Sequence, residues 1–454
     1  MNILRPQLHT RRIASLAWPL LVGQLAVIAN GVIDTAMTSR YSALDLAALA
    51  IGASVYVSIF VGLNGVLAAI SPVIGQLFGA GRHEQIGYQM KQGAWLALFL
   101  AILGSIALLF PQPLMSLAHA TPELSEKATL YLQALVFALP ATMGFRLYSS
   151  LNTAIGRPKM VMALQVAGLA LKVPANALFI FGGFGIPEMG GPGCAVATAT
   201  VSWMMFLCGA AIVRFGPTYR HYGLFGTGLV LPRWTAQREL LRLGIPMGMS
   251  YLIEVTAFTF MALFIARLGA TAVAGHQITA NFATVLYMVP LSIANATGTL
   301  VAQAIGARDP EAARRIGYAG IRLSAILSVT IGAIVWVLRD LIARAYTPDP
   351  TVIAAALPLF FFIAFYQLFD SVQVTTAFVL RAYKVAIVPT LIYAVALWGI
   401  GLGGGYILGL DPFGISPQFL QGAAGFWLGN SASLALVAAG LLWYLRIVQR
   451  HARG

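Results

Sequence analysis

Twelve long apolar runs, near 13–38, 46–70, 92–110, 126–150, 160–181, 192–213, 240–266, 273–300, 317–338, 352–380, 385–408 and 421–445, fill most of this 454-residue chain. About 20 apolar residues suffice to cross the hydrocarbon core of a bilayer as a helix. Only helices and closed barrels span lipid, because every backbone polar group needs a partner inside the element. Runs of this length are helices. Charged residues make up 9% of the chain, against about 25% in a soluble domain, too few to coat a water-facing surface. The pattern excludes an ordinary soluble enzyme, a disordered chain and a free nucleic-acid binder. It predicts an all-α integral membrane protein with twelve transmembrane helices and the lipid bilayer as its surroundings.

The net charge of +14 follows the positive-inside rule. With the N-terminus in the cytoplasm, the basic clusters Arg5/Arg11/Arg12, Arg157/Lys159, Arg233/Arg238/Arg242, Arg308/Arg314/Arg315, Arg381/Lys384 and Arg446/Arg450/Arg453 all fall on the cytoplasmic side. The opposite side keeps only scattered charges such as Arg40, Lys127 and Arg267. Both termini are therefore expected in the cytoplasm. The run after Arg12 is too long for a signal-peptide core and has no convincing cleavage site, so a retained first helix is expected.

The halves resemble each other. At a constant offset of 227 (246 minus 19), Pro19 matches Pro246 and Arg40 matches Arg267; Gln76, Gly79, Ala80 and Glu84 match Gln303, Gly306, Ala307 and Glu311. The pattern Q-x-x-G-A-x-x-x-E after the second span of each half is the most specific of these matches. The basic connection 214–242 separates two pseudo-symmetric six-helix bundles, residues 1–225 and 226–454. An even number of spans points both copies the same way, so the expected body has a cavity between its halves and works by alternating access.

Acids inside apolar spans are costly and become functional candidates by default. There are three: Asp34 in span 1, Glu254 in span 7 and Asp370 in span 10. Twelve residues from Arg242 to Glu254 and eleven from Arg381 to Asp370 put both acids about 16–18 Å from the cytoplasmic end. The second half offers them no basic residue well inside a span. Tyr366 lies one turn before Asp370 on the same helix face. Two carboxylates and a phenol can supply oxygens to a hard cation such as Na⁺, or the acids can hold a proton; both uses stay open here. In the first half, Asp34 has possible partners in Lys172 or Arg146 and a possible hydrogen bond from Asn176, with Thr198 and Thr200 as lesser candidates. His276, opening span 8, is read as interfacial packing. No Walker A sequence, paired-cysteine metal spacing or His-Glu-x-x-His helix is present. An ATP-driven pump and an enzyme are both disfavoured.

At Val32-Ile33-Asp34-Thr35, Asn176 through Gly182, Pro187 through Cys194, Glu254, and Tyr366-Gln-Leu-Phe-Asp370 the sequence resembles the multidrug and toxic compound extrusion (MATE) family, in its NorM-like bacterial branch. The resemblance implies a two-lobed, twelve-helix exporter of small cationic, partly apolar drugs or dyes. It would be driven by inward Na⁺ or H⁺, need no cofactor, and act as a monomer in the bacterial inner membrane. It assigns Glu254, Tyr366 and Asp370 to the cation site of the C-terminal lobe, and Asp34 with Asn176 to coupling and substrate release in the N-terminal lobe. A second acid that one branch carries a turn after Asn176 is Ile180 here, which tilts the expectation towards Na⁺. A lipid-linked oligosaccharide flippase would instead want basic groups in its cavity. A membrane-embedded enzyme would want a nucleophile or cofactor motif beside its acids.

Overall fold

The computed structural model describes residues 6–112, 121–225, 228, 230–414 and 416–452. Arg5 and Arg453, two of the charges assigned to the cytoplasmic side, lie outside them. Among the described residues the fold is helical, apart from one isolated bridge between Gly183 and Ile186.

Among the described residues, twelve helices are long and apolar enough to cross a membrane: α1 (His9–Tyr41), α2 (Ala43–Gly79), α3 (His83–Leu109), α4 (Pro122–Ala154), α5 (Pro158–Phe181), α6 (Gly190–Phe215), α7 (Trp234–Ala266), α8 (Ala270–Gly306), α9 (Pro310–Tyr346), α10 (Pro350–Ala382), α11 (Ile387–Leu410) and α12 (Ala423–His451). The chain is a multi-pass membrane protein.

The duplication reappears in the helix lengths. Helices α2 and α8 have 37 residues each, α4 and α10 have 33, and α5 and α11 have 24. Turn chemistry repeats too. After α2, the Ala80 N–H returns to the Gln76 carbonyl at 2.9 Å and Arg82 N–H to Leu77 at 3.0 Å; after α8, Ala307 returns to Gln303 at 2.9 Å and Asp309 to Ala304 at 3.0 Å. The left-handed residue in this turn is Gly81 (φ 69°) in one copy and Arg308 (φ 58°) in the other. The recurrent Q-x-x-G-A pattern is thus a helix stop.

Proline sets several starts. Pro122, Pro158, Pro310 and Pro350 occupy the first turns of α4, α5, α9 and α10, where their missing N–H costs nothing. Asp309 and Asp349 cap the last two, accepting from Ala312 N–H and Thr351 N–H at 2.8 Å each. Pro19, Pro140, Pro174, Pro246 and Pro290 lie inside helices, and Pro389 in the first turn of α11. In α11 the residues Ala394–Leu402 widen into a π-helical stretch.

Two compact units emerge, Val22–Gly248 and a second made of Met1–Leu21 with Met249–Gly454. Their boundaries fall inside α1 and α7. In the first unit Ile74, Ile86, Leu96, Leu132 and Leu139 form the centre of the core; in the second, Phe360, Phe426, Trp427 and Leu441 do. Large apolar side chains are also exposed in rows, such as Phe99, Ile102, Leu103 and Ile106 on α3 and Val337 and Leu341 on α9. Such faces suit lipid rather than water.

Candidate functional site

In the second unit α10 carries Tyr366, Asp370 and Gln373 on one face, by the three- and four-residue spacing of a helix. All three are buried; Asp370 is 1% exposed and Gln373 not at all. The Gln373 Nε2 donates to Asp370 Oδ1 at 2.8 Å, and the same side chain is within hydrogen-bonding reach of Glu254 on α7. Its Oε1 accepts from the Tyr393 hydroxyl of α11. Gln373 therefore joins the two acids and ties both to a third helix. Asp370 Oδ2 is buried with no hydrogen-bond partner among the described residues. The phenols of Tyr287, Tyr366 and Tyr393 all interact electrostatically with both carboxylates.

Tyr366 also belongs to an aromatic group. Its ring centroid lies 5.6 Å from Trp427 and 6.3 Å from Phe258, both edge-on. Trp427 Nε1 donates to His276 Nδ1 at 3.2 Å. His276, expected at the interface, is 1% exposed and sits inside this group, because the indole N–H gives its ring nitrogen a buried partner.

Helical rise alone puts Arg381 at the cytoplasmic end of α10 and leaves Glu254 and Asp370 without a basic neighbour. Arg381 is in fact 8% exposed. Its guanidinium donates to the Tyr251 hydroxyl at 2.7 Å and stacks over the rings of Tyr251 and Phe378 at 4.7 and 4.8 Å. From there its charge reaches Glu254. A helical side chain leans towards the N-terminus of its helix, and a long one such as arginine returns its charge to the interior.

In the first unit a second polar group forms around Asp34 on α1. Asn176 Nδ2 of α5 donates to Asp34 Oδ1 at 2.7 Å. Of the two possible basic partners, Lys172 makes the ion pair, with Nζ 3.1 Å from the same oxygen. Lys172 also donates to Thr198 Oγ1 of α6, whose own hydroxyl returns to the Cys194 carbonyl at 2.9 Å. Among the described residues, the Thr200 hydroxyl bonds its own helix, at the Val196 carbonyl. Ile180 is fully buried one turn beyond Asn176.

Asn176 lies against Asp34, the hydrogen bond the sequence suggested; Thr198 joins the group through Lys172, and Tyr366 and Asp370 share one face of α10. The sequence reading missed Gln373, Tyr393 and the inward turn of Arg381. The signal for Gln373 was its position three residues after Asp370.

Residues 19–178 and 246–407 match the MatE family model, one segment in each copy of the duplication. The chain is 42% identical over 434 residues to a probable multidrug resistance protein NorM of Aromatoleum aromaticum, covering 96% of this chain and 93% of that protein. It is 36% identical over 441 residues to the multidrug resistance protein MdtK of Photorhabdus laumondii, covering 96% and 95%. Its fold is similar to a solved multidrug resistance MATE family transporter of the MOP superfamily in an outward-facing conformation, with a TM-score of 0.88, 18% identity, and 98% and 97% of the two chains covered. Twelve helices built by duplication and a family match in both copies lead to one conclusion: the chain belongs to the MatE family.

Proposed function

We propose that the chain is a multidrug efflux transporter of the bacterial inner membrane. In this reading it is a monomeric secondary antiporter that exports small organic cations against inward Na⁺ or H⁺ by alternating access, with both termini in the cytoplasm. The names borne by the relatives from Aromatoleum aromaticum and Photorhabdus laumondii point the same way. One observation carries the reading: a carboxylate pair joined by Gln373 in an apolar interior, with one Asp370 oxygen left without a partner.

Such an oxygen suits an ion that comes and goes. Buried charge is stable only when paired or hydrogen-bonded, and Gln373 satisfies one side of Asp370 only. Among the described residues no three His, Cys, Asp or Glu side chains converge, so an ion here would complete its shell with neutral oxygens, as hard cations do. The Tyr366 phenol is one such donor. A proton would satisfy the same oxygen by converting it into a donor.

The cycle follows from charge. Loading Na⁺ or H⁺ on Glu254 and Asp370 removes one negative charge per ion from the site, which weakens attraction for a cationic drug. Loss of the ion restores that attraction. Exchange of one monovalent ion for one monocation moves no net charge, so a tenfold ion gradient supplies about 1.4 kcal/mol. A second ion per cycle adds about 2.3 kcal/mol per 100 mV of membrane potential.

The test is ethidium efflux from everted vesicles under separately imposed Na⁺ and pH gradients, comparing wild type with Glu254→Gln and Asp370→Asn. Both variants are expected to lose gradient-driven efflux. Normal efflux by both would refute the assignment, and the gradient that drives the wild type names the ion.

A further inference from the structure

Resting on the reading of the chain as a carrier of organic cations, we propose that Lys172 is a tethered counter-ion of Asp34, which a cationic substrate displaces. It thereby sets how tightly the polar group of the first unit takes a monocation.

The Lys172 side chain is 3% exposed and that of Asp34 15%, so the carboxylate is the more open partner and the ammonium is lodged behind it. A buried ammonium is stable only with hydrogen-bond acceptors around it. Lys172 has Asp34 Oδ1 and Thr198 Oγ1. Asp34 Oδ1 already receives Asn176 as well. An arriving cation meets a carboxylate whose charge is cancelled from within the protein.

The displaced ammonium has somewhere to go. Asn176 Oδ1 is buried and has no hydrogen-bond partner among the described residues. It lies four residues after Lys172 on α5, on the same helix face. Thr198 Oγ1 already holds the amine. A short swing of Lys172 from Asp34 onto Asn176 Oδ1 exchanges one acceptor for another and frees the carboxylate. Asp45, another acid of the same unit, is already taken by Lys127 at 2.7 Å and by the Gly191 N–H at 2.9 Å. Ile180, one turn further along α5, brings no charge.

Two ligands sharing one carboxylate must oppose each other, and such coupling is usually worth about fivefold to a hundredfold in affinity. The experiment is tetraphenylphosphonium binding to the purified full chain in detergent, with uncharged triphenylphosphine oxide as the control ligand. Lys172→Gln is expected to tighten the cation by about tenfold and to leave the neutral ligand unchanged, whereas Lys172→Arg stays near wild type. An unchanged or weaker cation affinity in Lys172→Gln, or an equal change for both ligands, overturns the proposal. Should Lys172→Gln fail to fold, the charge-free double variant Lys172→Gln/Asp34→Asn decides. It must bind the cation more weakly than the wild type, which still offers Asp34 once Lys172 is displaced, while the neutral ligand is unchanged; an unchanged cation affinity overturns the proposal. If neither wild type nor Lys172→Gln binds the cation, the exporter reading falls too; if wild type binds and Lys172→Gln gains nothing, only the counter-ion falls.

Discussion

Gln373 hands one amide hydrogen to Asp370, 2.8 Å away, and its side chain stands within hydrogen-bonding reach of Glu254. Because its oxygen is held by Tyr393, the amide cannot rotate to release the acids without breaking a buried bond. Gln373 is thus a positioning residue for the carboxylate pair. Gln373→Leu keeps the volume and removes the bonds, each worth about 1.5–3 kcal/mol when made to a charged group. The ion concentration giving half-maximal efflux is expected to shift by at least about tenfold, with tetraphenylphosphonium affinity little changed. A shift in both quantities together, or in neither, would mean that Gln373 only fills space.

Much of this was legible in the chain, and the reasons are physical. Lipid leaves few architectures open, so apolar length alone yields twelve helices. The repeat at 227 survives because both copies need the same turn after their second helix, shown by the matching bonds at Ala80 and Ala307. Asp34 and Asn176 were readable as partners because buried polar groups in lipid seek one another. Arg381 was not, since rise along a helix gives the depth of a Cα atom while an arginine head reaches several ångströms further. Nor could spacing choose Lys172 over Arg146. That choice depends on which face of α5 meets α1, a property of packing.

Asp45 is the buried half of an unequal ion pair. It is 1% exposed against 33% for Lys127, and it also accepts the Gly191 N–H at 2.9 Å. A Cβ on Gly190, whose φ is 59°, would press on the Tyr41 ring and on Asp45 Oδ1. The start of α6 is therefore moulded around this carboxylate. Removing Asp45 orphans a buried N–H and an ammonium together. Asp45→Ala is expected to cost about 3 kcal/mol, and Lys127→Met about 3 kcal/mol as well, because it strands the buried carboxylate without its counter-charge. Thermal unfolding in detergent measures both, and a negligible loss in Lys127→Met would show that the Gly191 N–H alone suffices for Asp45.

The basic connection after α6 is strapped to α3 by side chains. Trp95 Nε1 donates to the Val230 carbonyl at 2.8 Å and Gln92 Nε2 to Leu231 at 3.1 Å, while Gln92 Oε1 accepts the Arg233 N–H at 2.9 Å. Gln92 is fully buried, and its amide replaces the backbone partners that an irregular segment lacks. Gln92→Ala should free the segment around Arg233 without unfolding the helices. Limited trypsin digestion is expected to cut after Arg233 at least about fivefold faster than in wild type, as local opening costs less free energy. An unchanged rate would show that Trp95, Lys91 and Tyr88 hold the strap without Gln92.

The duplicated turn offers an internal control on backbone strain. Gly81 and Arg308 both adopt positive φ, at 69° and 58°, and nothing lies within 4 Å of a Cβ built on Gly81. Gly81→Ala thus tests conformation alone and is expected to cost about 1 kcal/mol. Arg308→Ala should cost almost nothing there, because that copy already bears the strain. The second copy offsets it with a cap: Asp309 accepts the Ala312 N–H at 2.8 Å. The matching residue, Arg82, makes no side-chain cap to α3. Its backbone (φ −86°, ψ 64°) nearly matches that of Asp309 (φ −114°, ψ 83°), so an aspartate there could reach the same N–H. Arg82→Asp is therefore expected to stabilise the first copy by about 0.5–1 kcal/mol, read as a higher unfolding temperature, and Asp309→Ala to destabilise the second by a similar amount. A loss of stability in Arg82→Asp would show that the two turns, alike in backbone, differ in what surrounds them.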